Sequence, residues 1–453
     1  MPLFYEELFM FKKSLLILSF LVIQLAVYAQ DDLPETAKTI NATLLAEITA
    51  QGQKVNAVAL EYEGNLLSGS DLRKTYQIFT TLEGKEQTPR TILRSYVNDK
   101  PETSAQSKAG KFVIIELDDQ DKNADLYSLK TENDQPMKFK GKDKDGNIVE
   151  IKKKQATKVP QYYGEKLVYQ INQTGYLKLM TGKTLAPISI SQAATHDKVK
   201  TLWLDEFQAK SVFLNDKTNA LNYRIFTPHF EQGKAYPLTI FLHGSGQVGS
   251  DNLAHLLSSK GAISTLQYEQ GVVLAPQYQT VFDPFDKQGG IHWQTNNRRD
   301  LVLKMIDDTL AQYPQIDKNR IYLVGLSRGA EGSVKLLLNR PHFFAAALLM
   351  SGREAYTHEW ADGNATKENL APIKNIPMWF FHSKEDNISP VKGSRINVKI
   401  LTEELQAPNV KYTEFTMENI GDNGIVNNNA HNTWDAVFNS PEVMQWLVQQ
   451  KRK

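Results

Sequence analysis

The sequence predicts an α/β fold, a mostly parallel sheet with helices on both faces, preceded by a small all-β sandwich. Before about residue 200, short alternating apolar segments recur without a helical period. After that point, continuous apolar stretches alternate with amphipathic helical segments. The 453 residues, 41% of them hydrophobic, are enough for one large core and a second, smaller one.

The N-terminus has the pattern of an export signal. Lys12 and Lys13 precede an apolar run from Ser14 to Ala29, which ends in Val-Tyr-Ala. The run is short for a membrane span, which needs roughly 20 apolar residues. We therefore expect residues 1–29 to be a signal peptide, with a retained membrane anchor as the alternative. The mature protein is then periplasmic or secreted, with no stable membrane span after signal removal.

Composition excludes several kinds of site. Lys and Arg number 52 against 51 Asp and Glu, so a net charge of +1 gives no reason to expect nucleic acid as a partner. The sequence contains no cysteine, which excludes disulfides, thiolate metal ligands and thiol nucleophiles.

Residues 30–198 are predicted to form the all-β domain. Alternating segments include Lys54–Tyr62, Arg90–Val97 and Lys111–Asp118, and charged or turn-forming residues separate them. This pattern is typical of a small antiparallel β sandwich.

Residues 199–453 are predicted to form the α/β domain. Tyr236–Gly244 and Gly271–Gln277 have the continuous apolar character of buried parallel strands. Asp300–Tyr313 has the apolar period of a helix, with Asp300 as its N-cap. A closing helix begins near Pro441, a residue that the first turn of a helix accepts.

The segment Ile321–Ser333, IYLVGLSRGAEGS, places a serine between a strand and a helix. A serine hydroxyl is a poor nucleophile alone and needs a base beside it. In a Gly-x-Ser-x-Gly turn the serine is lifted above the sheet edge, and the glycines leave room for the strained backbone. The pattern predicts Ser327 as a nucleophile, with a purely structural turn as the alternative.

The segment FLHGSGQVGSDN, which begins at Phe241, is the second chemical motif. His-Gly-x-Gly after a buried strand is typical of a loop whose main-chain amides face a developing oxyanion. We expect the amides of Ser245 and Arg328 to be the two donors, with Gly246 as the near alternative to Ser245. His243 is expected to brace this loop.

The acid of a triad is expected in a loop after a later strand. Asp386 follows the apolar strand segment Ile376–Ser383 and lies 59 residues after Ser327. Glu385 and Asp422 are competitors for the same role.

The base is expected after the acid in this architecture. Of the nine histidines, His431 alone lies C-terminal to Asp386, in a polar loop ahead of the last helix. His382 is the alternative base, although its place at a strand end favours a packed residue.

These residues predict acyl transfer without a metal or an organic cofactor. Ser327 attacks the acyl carbon, His431 takes its proton and passes it to the leaving group, and Asp386 holds the imidazole tautomer. Trp293 is a candidate wall of the substrate pocket, and a packed core residue is the alternative.

From about Leu202 to Lys453 the chain resembles bacterial α/β-hydrolase carboxylesterases of the predicted-peptidase and polyhydroxybutyrate-depolymerase-like type. The matching segments are YPLTIFLHGSGQVGSDN, IDKNRIYLVGLSRGAEG, PMWFFHSKED and HNTWDAVFNSPEVMQWL. The resemblance implies that Asp386 and His431 are the triad acid and base. The first domain is similar to the immunoglobulin-like domain that precedes some of these esterases. The family turn more often reads Gly-x-Ser-Met-Gly-Gly, and Arg328 here puts a cation near the pocket.

The resulting hypothesis is an exported serine hydrolase, a carboxylesterase that cleaves small or carbohydrate-linked acyl and aryl esters. A serine peptidase of the prolyl-oligopeptidase-like type is the nearest alternative, since esters and amides share a tetrahedral intermediate. A glycan-binding or adhesion protein with secondary catalysis is the alternative from another class. The expected partner is a small-molecule ester.

Overall fold

The structure is a computed structural model that describes residues 40–69, 71–142, 148–286, 290–357, 363–417 and 429–452. The predicted signal peptide and Asp422 lie outside these residues. The chain divides into two compact units. The first comprises residues up to Glu47, Lys54–Leu126 and Tyr163–Lys200, and the second comprises Ile48–Gln53, Tyr127–Tyr162 and Thr201–Lys453.

The first thirteen strands are β1 (Asn41–Thr49), β2 (Gly52–Leu66), β3 (Tyr76–Leu82), β4 (Thr88–Arg90), β5 (Ile92–Asn98), β6 (Gly110–Leu117), β7 (Tyr127–Lys142), β8 (Ile148–Tyr162), β9 (Gly164–Gln173), β10 (Leu177–Lys178), β11 (Thr184–Leu185), β12 (Ile188–Ala194) and β13 (Val199–Thr201). They form a five-stranded sheet in the order β13-β1-β2-β6-β5 and a four-stranded sheet in the order β12-β9-β3-β4. β10 pairs with β11, and β7 with β8, as two-stranded antiparallel ribbons. The predicted all-β domain therefore has two main sheets.

Alternation of side chains along the strands builds the core of the first unit. Ala57 and Ala59 on β2 and Ile114 on β6 point to the same face and pack with Leu45 and Tyr96. β2 and β6 are antiparallel, with Ala59 opposite Ile114. A period of two residues is what places these apolar side chains on one face of a strand.

The second unit is built around an eight-stranded sheet. Its strands are β14 (Gln208–Leu214), β15 (Asp216–Phe226), β16 (Tyr236–Leu242), β17 (Val272–Gln277), β18 (Ile316–Leu326), β19 (Ala346–Met350), β20 (Met378–Ser383) and β21 (Val410–Phe415). Their order is β14-β15-β17-β16-β18-β19-β20-β21. β14, β15 and β17 pair antiparallel, and every pair from β17 to β21 is parallel. The predicted, mostly parallel sheet is confirmed.

The helices of the second unit are α1 (Ala254–Leu257), α2 (Asn296–Gln312), α3 (Arg328–Asn339), α4 (Lys367–Leu370), α5 (Lys392–Lys399), α6 (Trp434–Phe438) and α7 (Pro441–Gln449). A π-helical turn, Ile400–Glu404, continues α5. Within the described ranges, no helix is long and apolar enough to cross a membrane.

Both faces of the eight-stranded sheet are covered by apolar side chains. All seven residues of β16 are buried. Leu238, Ile240 and Leu242 join one core cluster, whereas Phe241 joins the cluster on the opposite face. A strand buried on both faces needs a continuous apolar run, which is the pattern that predicted this strand.

Helix α2 begins four residues before the predicted Asp300. Its N-cap is Thr295, whose hydroxyl oxygen accepts a hydrogen bond from the amide of Arg298 at 3.1 Å. The guanidinium of Arg298 is buried and donates to four main-chain carbonyls between residues 280 and 292. These tertiary hydrogen bonds hold a polar first turn that has no apolar period.

Candidate active site

Ser327 lies at the turn between β18 and α3. Its backbone has φ 52° and ψ −120°, a strained conformation for a non-glycine residue. A Cβ on Gly329 would lie 1.8 Å from the carbonyl oxygen of Leu242, so only glycine fits at that position. The amide of Ser327 donates to Met350 at 2.7 Å, which ties the turn to the neighbouring strand. The local geometry is that of a nucleophile elbow.

His431 lies beside Ser327, although 104 residues separate them in the chain. Its Nε2 is 3.0 Å from the hydroxyl oxygen of Ser327, and its Nδ1 is 2.7 Å from Oδ2 of Asp386. A carboxylate can only accept, so the proton is on Nδ1 and Nε2 accepts from the serine hydroxyl. The structure thus brings Ser327, His431 and Asp386 into one hydrogen-bonded chain.

Two main-chain amides and two histidines bind the carboxylate of Asp386. Oδ1 accepts from the amides of Ile388 at 2.8 Å and Ser389 at 2.9 Å. Oδ2 accepts from His431 and, at 3.1 Å, from Nε2 of His382. Burial opposes ionisation, but the hydrogen bonds from both histidines outweigh it and hold the pKa of Asp386 well below its usual value. The carboxylate is therefore ionised at neutral pH.

Neither Glu385 nor His382, the two described competitors for the acid and base roles, is hydrogen-bonded in the way that the triad requires. Glu385 accepts from the hydroxyl of Ser383 at 3.1 Å and from the amide of Met417 at 3.2 Å. His382 is fully buried, with its Nδ1 2.8 Å from the hydroxyl of Ser394. Its Nε2 is 2.7 Å from the carbonyl oxygen of Ser389 as well as near Asp386. His382 thus acts as a support for Asp386, a role that its position four residues earlier did not reveal.

The loop after β16 passes directly beside the serine. A Cβ on Gly244 would lie 3.2 Å from Cβ of Ser327 and 2.9 Å from a methyl carbon of Leu326. Ser245 follows and starts a short 3₁₀ turn, Ser245–Gln247. Arg328 is the first residue of α3, so its amide lies at the positive end of that helix. Both expected oxyanion donors are therefore carried by backbone next to Ser327, with Gly246 next in the same turn.

His243 supports this loop from below. Its imidazole is fully buried and its Nδ1 is 2.6 Å from the carbonyl oxygen of Gly244. Its ring packs against Tyr278 and Trp293, at centroid distances of 4.7 Å and 5.1 Å. These contacts match the expected bracing role of His243.

Trp293 is a packed residue. Its side chain belongs to the core cluster and is 2% exposed, and its indole N–H donates to the carbonyl oxygen of His243 at 2.9 Å. A Cβ on Gly332 would lie 2.5 Å from Cβ of Trp293, so α3 packs directly on it. Trp293 is therefore a core residue and not an exposed wall of the substrate pocket. Its hydrogen bond to His243 helps to position the oxyanion loop.

Arg328 turns its side chain away into a buried ion pair. Its Nη1 is 2.9 Å from Oε2 of Glu331, and both side chains are less than a tenth exposed. Gln294 donates to the same carboxylate oxygen. The positive charge that we expected near the pocket is therefore paired with Glu331. Neither Glu331 nor Gln294 was singled out from the sequence, although the spacing of three residues on a helix indicates such pairs.

Replacing Arg328 with methionine should destabilise the protein by about 3 kcal/mol, because it leaves the Glu331 carboxylate buried without its cation. The measurement is the free energy of unfolding in urea. The double variant Arg328→Met/Glu331→Gln should recover part of the loss, because the unpaired charge is gone. A loss below about 0.5 kcal/mol for Arg328→Met would contradict a buried pair and indicate an exposed one.

Three buried histidines should make the protein acid-sensitive. Burial lowers the pKa of His255 to about 4 and lowers the pKa of His243 and His292 well below the usual value. The unfolded chain binds these protons near pH 6.5 and the folded chain does not, so stability falls as pH drops below about 6.5. Each histidine contributes up to about 1.4 kcal/mol per pH unit.

The urea midpoint measured between pH 7.5 and 4.5 tests this prediction. His255→Gln should flatten the curve, whereas His229→Gln, at an exposed position, should leave its shape unchanged. A midpoint that stays constant from pH 7 to pH 5 would overturn the prediction.

We searched the described residues for side chains that could ligate a metal ion. There, no group of three or more histidine, aspartate or glutamate side chains is arranged to hold an ion.

Two family models match the chain. Residues 229–423 match the model described as Phospholipase/Carboxylesterase, and residues 41–186 match the Esterase Ig-like N-terminal domain. The chain therefore combines an immunoglobulin-like domain of the esterase type with an α/β-hydrolase domain of the phospholipase and carboxylesterase type. No curated protein matches it at a significant level.

Solved structures of esterases and of another α/β hydrolase are similar to this chain. The crystal structure of a thermostable esterase matches 91% of this chain and 99% of its own, with 26% identity and a TM-score of 0.68. An α/β hydrolase from a Medee basin deep-sea metagenome library matches 53% of this chain and 93% of its own, at 14% identity and TM-score 0.37. A ferulic acid esterase from Anaeromyces mucronatus matches 53% of this chain and 89% of its own, at 15% identity and TM-score 0.39.

Proposed function

We propose that this esterase is an exported serine carboxylesterase that cleaves small or carbohydrate-linked acyl and aryl esters. The observation that carries the proposal is the hydrogen-bonded chain from Ser327 through His431 to Asp386. It is supported by the strained turn that presents Ser327 and by the loop at Ser245 beside it.

The proposed reaction has two halves. As the Ser327 oxygen bonds to the acyl carbon, His431 Nε2 takes the hydroxyl proton, and the carbonyl oxygen becomes an oxyanion facing the Ser245 and Arg328 amides. The C–O bond to the alcohol then breaks, and His431 gives its proton to the departing oxygen. Water attacks the acyl-enzyme by the same route in reverse, which releases the acid and restores Ser327.

Asp386 makes this proton transfer directional. Its ionised carboxylate accepts a hydrogen bond from Nδ1–H of His431, so the free lone pair of Nε2 points at the serine hydroxyl. When His431 becomes an imidazolium, the adjacent negative charge stabilises it. The two amides that bind Oδ1 keep the carboxylate fixed during the cycle.

A fluorophosphonate probe tests the nucleophile separately from any substrate preference. We expect a single covalent adduct on the peptide that contains Ser327, and none in the Ser327→Ala protein. Labelling of another serine with Ser327 unmodified would refute the proposal.

Ester and peptide cleavage are separated with matched substrates. p-Nitrophenyl acetate and p-nitroacetanilide share an acyl group and differ in the scissile bond. We expect turnover of the ester to exceed that of the anilide by several orders of magnitude. Comparable rates on the anilide and on short peptide amides would instead favour the serine peptidase.

Export is tested by fractionation of cells that carry the full-length gene. We expect the mature protein in the periplasm or medium, with its N-terminus near Gln30. Full-length protein retained in the cytoplasm would contradict export without affecting the proposed chemistry.

A further inference from the structure

The carboxylate of Asp386 is shared by two histidines. Its Oδ2 lies 2.7 Å from Nδ1 of His431 and 3.1 Å from Nε2 of His382. The proposed proton transfer from Ser327 passes through His431 alone. His382 is therefore a fully buried, titratable group that contacts the acid but lies outside the path of the proton.

The neighbours of His382 determine which of its nitrogens carries the proton. Nε2 faces two groups that can only accept, Oδ2 of Asp386 and, at 2.7 Å, the carbonyl oxygen of Ser389. Nδ1 lies 2.8 Å from the hydroxyl of Ser394, which can donate. The neutral ring therefore carries its proton on Nε2 and accepts from Ser394 at Nδ1. This tautomer directs an N–H bond at the oxygen that also binds His431.

The ring of His382 is held in this orientation by groups on both of its edges. Ser394 lies on α5, and its hydroxyl is also 3.3 Å from the carbonyl oxygen of Gly352. A ring turned over about its Cβ–Cγ bond would move both nitrogens away from their partners. Because a buried polar atom without a partner costs free energy, these contacts select a single orientation.

A second donor on Oδ2 changes what Asp386 does for His431. Burial raises the pKa of Asp386, but the hydrogen bonds from the two histidines lower it by more, so each of them stabilises the carboxylate charge. When His431 becomes an imidazolium, Asp386 stabilises it. Because His382 already satisfies part of the charge on Oδ2, this stabilisation is smaller. The imidazolium of His431 then gives up its proton more readily.

The other charged groups packed around His382 have partners of their own. Glu414 lies opposite His382 on the neighbouring strand β21. Its carboxylate accepts from the guanidinium of Arg395, on α5, at 2.6 Å and 2.9 Å, and from the hydroxyl of Tyr412. Glu385, in the same loop as the triad acid, is hydrogen-bonded to other groups. The negative charge at hydrogen-bond distance from His382 is therefore that of the triad acid.

We propose that His382 is a positioning residue of the reaction, which donates to the carboxylate of Asp386 and thereby keeps His431 unprotonated at a lower pH than Asp386 alone would. The inference rests on the proposed function, because it concerns the base that accepts the proton of Ser327. It extends the hydrogen-bonded chain of the site beyond Asp386, through His382 to Ser394.

A pair of variants separates this role from packing. His382→Phe keeps a planar ring of similar size and removes the N–H donor, whereas His382→Gln keeps an N–H donor near the place of Nε2. For p-nitrophenyl acetate, we expect the acid-side midpoint of the pH profile of kcat/KM to rise by about 0.5 pH units in His382→Phe, a part of the strength of a hydrogen bond to a charged group. In His382→Gln the midpoint should stay near that of the wild type. An unchanged or lowered midpoint in His382→Phe, or an equal rise in both variants, would overturn the proposal.

His255→Gln is the matched control for these variants. It removes another fully buried imidazole, one whose Nε2 binds the carbonyl oxygen of Ala275. The midpoint of its pH profile should equal that of the wild type. A rise as large as that of His382→Phe would mean that the loss of any buried histidine moves the profile, and it would overturn the proposal.

The donor itself can be detected without turnover and without a variant that must fold. In wild-type protein with isotopically labelled histidine, long-range proton–nitrogen NMR spectra at neutral pH should show a proton on Nε2 of His382. An Nε2 without a proton would overturn the proposal even if the serine chemistry holds. Failure of the wild type to cleave p-nitrophenyl acetate would instead refute the proposed function itself.

Discussion

Ser327→Ala should lower kcat for p-nitrophenyl acetate by a factor on the order of 10⁵ or more, because the oxygen that attacks the acyl carbon is removed. The imidazole of His431 loses its partner at 3.0 Å, but the side chain is small and the fold has no need of the hydroxyl. Steady-state hydrolysis with purified protein measures the effect.

The control for this variant is Ser211→Ala, which removes a hydroxyl from an exposed position on β14. Its rate should equal that of the wild type, and both variants should unfold at the temperature of the parent. A Ser327→Ala enzyme within tenfold of the wild-type rate would mean that hydrolysis occurs elsewhere.

Asp386→Asn should lower kcat by about 10⁴-fold while leaving the hydrogen bonds to Ile388 and Ser389 in place. The amide nitrogen then donates toward Nδ1 of His431, which moves the imidazole proton to Nε2. That proton points at the Ser327 oxygen, so the base is blocked in the wrong tautomer. KM should change far less than kcat, because the carboxylate does not touch the substrate.

Glu385→Gln is the matched control for Asp386→Asn, since it neutralises the neighbouring acid in the same loop. Glu385 interacts with Ser383 and Met417, so its loss should change kcat by only a few-fold. If Glu385→Gln reduced kcat more than Asp386→Asn did, the assignment of the acid would be wrong.

Local signals in the sequence were sufficient to predict the strand, the turn and the helix around Ser327. Four apolar residues, a glycine-flanked serine and a helix-forming segment follow each other within Ile321–Ser333, and the structure has β18, the strained Ser327 and α3 in that order. The strands of the sheet could also be predicted from the sequence, because strands buried on both faces carry uninterrupted apolar runs. Chain order proposed His431, and the family resemblance was needed to choose Asp386 over Glu385 and Asp422. In the structure His431 is hydrogen-bonded to both Ser327 and Asp386.

Features that depend on contacts between residues far apart in the chain could not be predicted from local sequence signals. The first turn of α2 has a polar sequence, and it is held by carbonyls between residues 280 and 292 that accept from Arg298. Gln294 reaches Glu331 only because the sheet brings its loop against α3. Propensity and period describe neighbours along the chain, so contacts of this kind emerge only after folding.

The second histidine on Asp386 shows the same limit. His382 lies at the end of β20, where a buried histidine is usually a packed residue, and nothing in the sequence orients its Nε2. The structure points it at the carboxylate of Asp386 and the carbonyl of Ser389. Its function in holding the acid follows from that geometry.

The central claim is that the acyl group passes through the oxygen of Ser327, and trapping the acyl-enzyme tests it most directly. The enzyme is mixed with p-nitrophenyl acetate, quenched in acid within milliseconds and digested for mass spectrometry. We predict the mass of one acetyl group on the peptide that contains Ser327, formed with a burst of p-nitrophenol equal to the enzyme concentration. Turnover without that acetylated peptide, or an acetyl group on a different residue, would contradict the account.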